Sequence, residues 1–361
     1  LEKPHKFHEL DGLRGLAALI VVDYHFRTCF GKTYPSHGGL AVDLFFMLSG
    51  FVLTYAYQRK LDDGYSTIRF LKARLLRLYP MYFAGLVLGI VLKYFFSDLF
   101  QTVPRGELAL VLCASLLMLP APPMAAGSLV SFSFPFNYPM WSLFFELLAN
   151  VYHGLVLRRR TWKAVAAIAA VSGAMLVWML GAQGTIEVGW LRKETLLGVP
   201  RVIFSYTVGT LLFRVWKRLR YRWRISPMLL GAALVAALML PWLIAKASGR
   251  HVNGSFELVA VTLLFPALLL VGAFSVPSPM MARMCDWLGR ISYPLYVVHV
   301  PLGDALVAVW PHFRGHAMER DAPWSGLVLV VLAVGVAMAL EQLYDGPVRR
   351  LLGSKLIGTR G

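Results

Sequence analysis

The sequence predicts an all-α polytopic membrane protein of about ten transmembrane helices plus one re-entrant or interfacial hairpin, and three observations predict it. Of 361 residues, 58% are hydrophobic and only 15% charged, with a mean hydropathy of +0.61; a soluble domain is about half apolar and a quarter charged. Apolar runs of about 20 residues recur along the chain, each near the length that crosses a bilayer as a helix. The runs do not alternate polar with apolar residues, as the strands of a β-barrel would.

The first run lacks a small-residue cleavage site and is followed closely by a second, so it reads as an uncleaved span rather than a signal peptide. A chain beginning at Leu1 suggests a trimmed N-terminus. Spans are expected at 13–30, 38–57, 79–97, 140–157, 164–181, 199–216, 228–245, 257–275, 291–310 and 324–343. Between them fall basic clusters: Lys3 and Lys6, Arg59 to Arg77, Arg158 to Lys163, Arg214 to Arg224, Arg283 and Arg290, and Arg349 to Arg360. With the N-terminus inside, every cluster lands on the cytoplasmic side, both termini are cytoplasmic, and the loops 31–37, 182–198 and 246–256 face out. The net charge of +17 then reports retained positive loops, not a nucleic-acid partner.

Two segments depart from simple spans. Counting 107–119 as a crossing would put Arg158, Arg159 and Arg160 outside. The stretch is also short and is stopped by Pro120, Pro122 and Pro123, so 107–136 reads as the hairpin. In 66–78, Ile68, Leu71, Leu75 and Leu78 share one helical face, with Arg69, Lys72, Arg74 and Arg77 over the rest. Ser66 or Thr67 would cap this helix, which is expected to lie on the inner membrane surface, and Pro80 would open the next span. No internal repeat is evident, and residues 1–361 form a single membrane domain. Cys29, Cys113 and Cys285 show no metal spacing, and their odd number excludes a complete disulfide framework. Small-residue helix faces would allow a homodimer but specify none.

Polar groups inside the spans carry the functional reading. Arg14 and His25 are about 16 Å apart along a helix and about 20° apart around it, Arg14 at the inner edge and His25 in the outer half. Counted from the outer surface, Asp43 and Glu146 fall at a depth similar to that of His25. Unpaired ionisable groups are costly in lipid, so His25, Asp43 and Glu146 are expected to meet in a wet cavity. A carboxylate on one imidazole nitrogen would leave the other free as a base. Asp23 lies about 160° around from His25 and makes either another polar contact or snorkels outward. His299 is either a helix-to-helix donor or a substrate contact, and Arg201 either a headgroup anchor or a ligand of the acceptor. No HExxH, GxSxG, GxxxxGK or G-x-G-x-x-G occurs, Ser49-Gly50 lacks a nucleophile-elbow context, and no metal site is expected.

The blocks LDGLRGLAALIVVDYH, GGLAVDLFFMLSGFVLT, FLKARLLRLYPMY, NYPMWSLFFELLAN and LGRISYPLYVVH together resemble the acyltransferase-3 family of integral membrane acyltransferases, which modify extracytoplasmic glycans and related molecules. The resemblance runs from Leu10 to His299. It implies a ten-span domain, an acyl donor (usually acetyl-CoA) entering from the cytoplasm, a central catalytic His25 and an essential Arg14. It also implies that Asp43, Arg74, Arg77 and Glu146 occupy recurring positions. Asp23 departs from the pattern. The chain ends soon after the tenth span, so the hydrolase-like domain of some members is not expected.

On this reading Arg14, Arg69, Lys72, Arg74 and Arg77 hold the phosphates of acyl-CoA. The pantetheine arm carries the thioester between the helices, and His25 removes a proton from a hydroxyl of a carbohydrate or glycolipid in a bacterial inner membrane. Asp43 or Glu146 orients the imidazole. A proton-coupled transporter or flippase using a His25/Asp43/Glu146 relay is the competing class, and a non-catalytic scaffold the third.

Overall fold

The computed structural model describes residues 5–32, 37–122, 131–219, 224–248 and 254–356. Residues 123–130 of the expected hairpin lie outside them, as do Lys3, Arg220, Arg222 and Arg360 of the basic clusters. The described chain is helical throughout, with a lone antiparallel bridge between Phe132 and Leu191.

The helices are α1 (His8–His25), α2 (Ala41–Asp62), α3 (Thr67–Phe96), α4 (Arg105–Leu116), α5 (Trp141–Leu155), α6 (Trp162–Gln183), α7 (Gly198–Leu219), α8 (Pro227–Ser248), α9 (Ser255–Phe274), α10 (Pro279–Arg314) and α11 (Trp324–Gly353). Among the described residues, nine helical segments are long and apolar enough to cross a membrane, and the protein is an integral membrane protein. The expected first span, α1, is not one of the nine because it carries Glu9, Asp11, Arg14 and Asp23. Packing resolves the conflict. No residue of α1 is exposed, because α10, α8, α2 and α9 surround it and keep its charges out of lipid.

Small residues let the central helices approach closely. A Cβ on Gly50 of α2 would run into the Tyr206 carbonyl of α7, and one on Gly209 of α7 into the Met47 carbonyl of α2. α6, α8 and α11 form the rim, with Trp178 of α6 and Val331 of α11 exposed toward the bilayer.

One expected boundary is corrected. The amphipathic segment 66–78 is not a separate surface helix; it is the first part of α3, which runs unbroken through Pro80. Proline costs a helix one hydrogen bond, here at the Leu76 carbonyl, without ending it where neighbouring helices hold the backbone. Its apolar face is also only partly used, with Leu78 buried but Ile68 and Leu75 exposed. In 107–136 the described residues are 107–122 and 131–136; α4 is tied to α3 where Tyr82 and Tyr79 donate to the carbonyls of Ser115 and Leu116. Ala121 N–H donates to the Ser133 carbonyl at 2.7 Å, which brings the two described ends of the segment together. The returning stretch plunges inward, with Phe134, Phe136, Asn137 and Met140 buried before α5 begins.

Candidate active site

His25 is the last residue of α1 and His299 lies midway along α10, the helix that packs closest to α1. His25 Nδ1 and His299 Nε2 are 2.8 Å apart. His299 Nδ1 faces the carbonyl oxygens of Tyr296 at 2.8 Å and Leu295 at 3.2 Å. Carbonyl oxygens only accept, so His299 Nδ1 carries the proton and its Nε2 accepts. His25 Nδ1 must then donate, which leaves His25 Nε2 as an unprotonated lone pair. The ring of Tyr138 meets His25 edge-on, at 5.2 Å between centroids.

A cavity of about 280 Å³, which neither histidine lines, is bounded by Arg14 of α1, Ser49 of α2, Arg74 and Arg77 of α3, Glu146 of α5 and Tyr296 of α10, among others. Its upper end reaches Val42, Ser142 and Tyr296, one helical turn from His299. Its lower end is cationic. Arg14 pairs with Asp11, Arg74 lies 3.4 Å from Glu146, and Arg77 lies 3.7 Å from Asp345, which Arg349 also holds at 2.7 Å. Arg14 Nε, Arg74 Nε and Arg77 Nη1 are buried and have no hydrogen-bond partner among the described residues. Three guanidinium groups with spare donors around one cavity suit a polyanionic ligand.

With that geometry in hand, the comparisons with known proteins decide the family. Residues 7–342 match the family model described as an acyltransferase domain. The chain belongs to the acyltransferase-3 family. It is 42% identical over 188 residues to "Protein 2 in picA locus" of Rhizobium radiobacter, covering 48% of this chain and 94% of that protein. It is 24% identical to the exopolysaccharide production protein ExoZ of Rhizobium meliloti, over 87% of this chain and 90% of ExoZ. It is 25% identical to the O-acetyltransferase OatA of Staphylococcus aureus, over 83% of this chain but about half (51%) of OatA. No solved structure matches it.

Within this acyltransferase, several sequence expectations are redistributed. His25, Asp43 and Glu146 do not meet. Asp43 is fully buried and receives Arg201 Nε at 3.0 and 2.9 Å, Arg201 Nη2 at 2.6 Å and the Ser205 hydroxyl at 3.2 Å. Glu146 instead accepts from Ser49 at 2.6 Å and faces Arg74. Ser49 is six residues beyond Asp43, so Glu146 lies about 9 Å deeper. Depth counting fails for α5 because the largely buried 133–140 stretch precedes it, so its first turn is already inside. The group that orients His25 is therefore His299, not a carboxylate.

Arg201 is equally spoken for. It also donates to the carbonyls of Val188 at 3.1 Å and Gly39 at 3.0 Å, and its plane lies over Trp141. Four of its five N–H groups are thus engaged, and the side chain is buried as the counter-ion of Asp43 rather than held out as a headgroup anchor. Arg69 and Lys72 are exposed and do not line the cavity; a 100° advance per residue turns them away from Arg74 and Arg77. Asp23 makes the polar contact, with Lys32 Nζ at 2.6 Å. Sequence reasoning missed Ser49, and also Asn150 and His153, which follow Glu146 at i+4 and i+7. Both are fully buried, and the Asn150 amide atoms and both His153 ring nitrogens have no hydrogen-bond partner among the described residues. Their one-face spacing was the available signal.

Proposed function

We propose that the protein transfers an acetyl group from acetyl-CoA to a hydroxyl of an extracytoplasmic or lipid-linked carbohydrate. One observation carries this reading: the hydrogen-bond chain leaves an unprotonated His25 Nε2 beyond one end of a cavity whose other end holds Arg14, Arg74 and Arg77. The positive-inside distribution supports an arginine end at the cytoplasm of a bacterial inner membrane, with both termini on that side. The names of ExoZ and OatA favour a polysaccharide acceptor and O-acetylation.

Arg14, Arg74 and Arg77 hold the phosphates of the donor, and the thioester reaches up the cavity; the roughly 16 Å from Arg14 to His25 suits a pantetheine arm. The acceptor oxygen attacks the thioester carbonyl as His25 Nε2 takes its proton. The tetrahedral intermediate collapses with cleavage of the carbon–sulfur bond. The thiolate leaves and recovers the proton from His25, which restores the base. His25 holds its transient positive charge through Nδ1–H donation to His299, whose own Nδ1–H is anchored on α10 carbonyls.

Free-thiol release from acetyl-CoA tests the reading, with purified protein in lipid and a glycan extract as acceptor. Acceptor-dependent release that disappears in His25→Ala is the expected result. Equal release from both proteins would place the chemistry elsewhere.

A further inference from the structure

Three side chains that this chemistry does not use meet where α1 finishes: His37 before α2, Glu187 in the α6–α7 connection and Glu257 near the start of α9. One ligating atom from each falls within 4.8 Å of the other two. His37 Nδ1 is 3.4 Å from Glu187 Oε1 and 3.3 Å from Glu257 Oε1. A charge-assisted hydrogen bond between such groups closes to about 2.7–2.9 Å, and these do not. Ligands bound tetrahedrally at about 2.0–2.1 Å from one ion are separated by about 3.3–3.4 Å. The observed spacings fit that edge.

The surroundings prepare each carboxylate for such a role. Glu257 Oε2 accepts the Ile186 N–H at 2.7 Å and the Thr185 hydroxyl at 2.8 Å, and the same hydroxyl also lies 3.0 Å from Oε1, the atom that faces His37. Glu187 Oε2 accepts the Tyr24 hydroxyl at 3.2 Å, while its Oε1 is buried and accepts no hydrogen bond among the described residues. Outer partners that fix the first ligands are a regular feature of metal sites. Gly39 lies flush against the Glu187 carboxylate, where any Cβ would collide with it.

We propose that His37, Glu187 and Glu257 form a divalent-cation site. One imidazole and two carboxylates suit zinc, with a fourth position for water. Neutral His37 and two carboxylates sum to −2, so a divalent ion neutralises the group at the membrane edge. The three ligands come from separate segments, so no linear spacing announces them. Their bridging ties the end of α1, through Tyr24, to the starts of α2 and α9.

The test uses the full chain in lipid nanodiscs, stripped with a chelator, loaded with zinc chloride and desalted. Wild type should retain one more zinc per chain than His37→Ala or Glu257→Gln, and zinc should raise its melting midpoint by several degrees while leaving both variants unmoved. Equal zinc content and equal midpoints in all three would overturn the site. If the variants fail to fold, X-ray absorption of loaded wild type decides. One imidazole with oxygen ligands supports the assignment; sulfur or several imidazoles refutes it.

Discussion

Replacing Asp43 with asparagine separates a structural role from a catalytic one. The Asp43 carboxylate is fully buried, and three of its contacts come from the Arg201 guanidinium at 2.6–3.0 Å. Asparagine is nearly isosteric but removes the charge, leaving a guanidinium that is 2% exposed without a counter-ion. Breaking such a buried pair costs about 3–5 kcal/mol. For 361 residues, at roughly 2.1 cal/mol/K per residue, this corresponds to a fall of about 4–7 °C in melting midpoint. Asp43→Asn and Arg201→Met should each show that fall in nanodiscs. The double variant, with no stranded charge, should lose less than the two singles summed. At a temperature where the variants stay folded, acetyl transfer per folded molecule should remain within a few-fold of wild type, since neither residue touches His25 or the cavity arginines. An Asp43→Asn protein with wild-type melting but no transfer would refute this reasoning and return Asp43 to the chemistry.

Three further outcomes follow from the geometry. Arg14→Ala, Arg74→Ala and Arg77→Ala should each raise KM for acetyl-CoA by about 10–100-fold, the loss of one charge-assisted contact, while Arg69→Ala and Lys72→Ala change it less than about threefold in the same steady-state assay. His299→Gln should lower kcat about 100-fold or more with KM for acetyl-CoA unchanged, as befits a residue that positions His25; a KM effect alone would place it on the donor instead. Gly209→Val should abolish recovery of monodisperse protein by detergent size-exclusion chromatography, because its side chain would occupy the space of the Met47 carbonyl.

The sequence carried the helices and the Arg14-to-His25 axis because both are local, set by hydropathy runs and by a single helical pitch. What it lacked were distances between segments far apart in the chain. Nothing linear says that α2 packs on α7, so Asp43 could be paired with His25 on depth alone when its partner is Arg201. Depth itself misleads wherever a span begins below the surface, as α5 does after its buried approach, and Glu146 moved to the arginine end for that reason. Pro80 was read as a helix start when it lies inside one, since its missing donor is tolerated between packed helices. His299 was visible as an intramembrane histidine, but its two carbonyl contacts, which fix the tautomers of both rings, required the coordinates.

The most direct test of the central claim is transfer of radiolabel across sealed proteoliposomes. Labelled acetyl-CoA is supplied on the side of the arginine cluster, the glycan is sealed on the other, and wild type is compared with His25→Ala. The account predicts label on the enclosed glycan with wild type and none above background with His25→Ala. Label accumulating at the same rate with both proteins would contradict it.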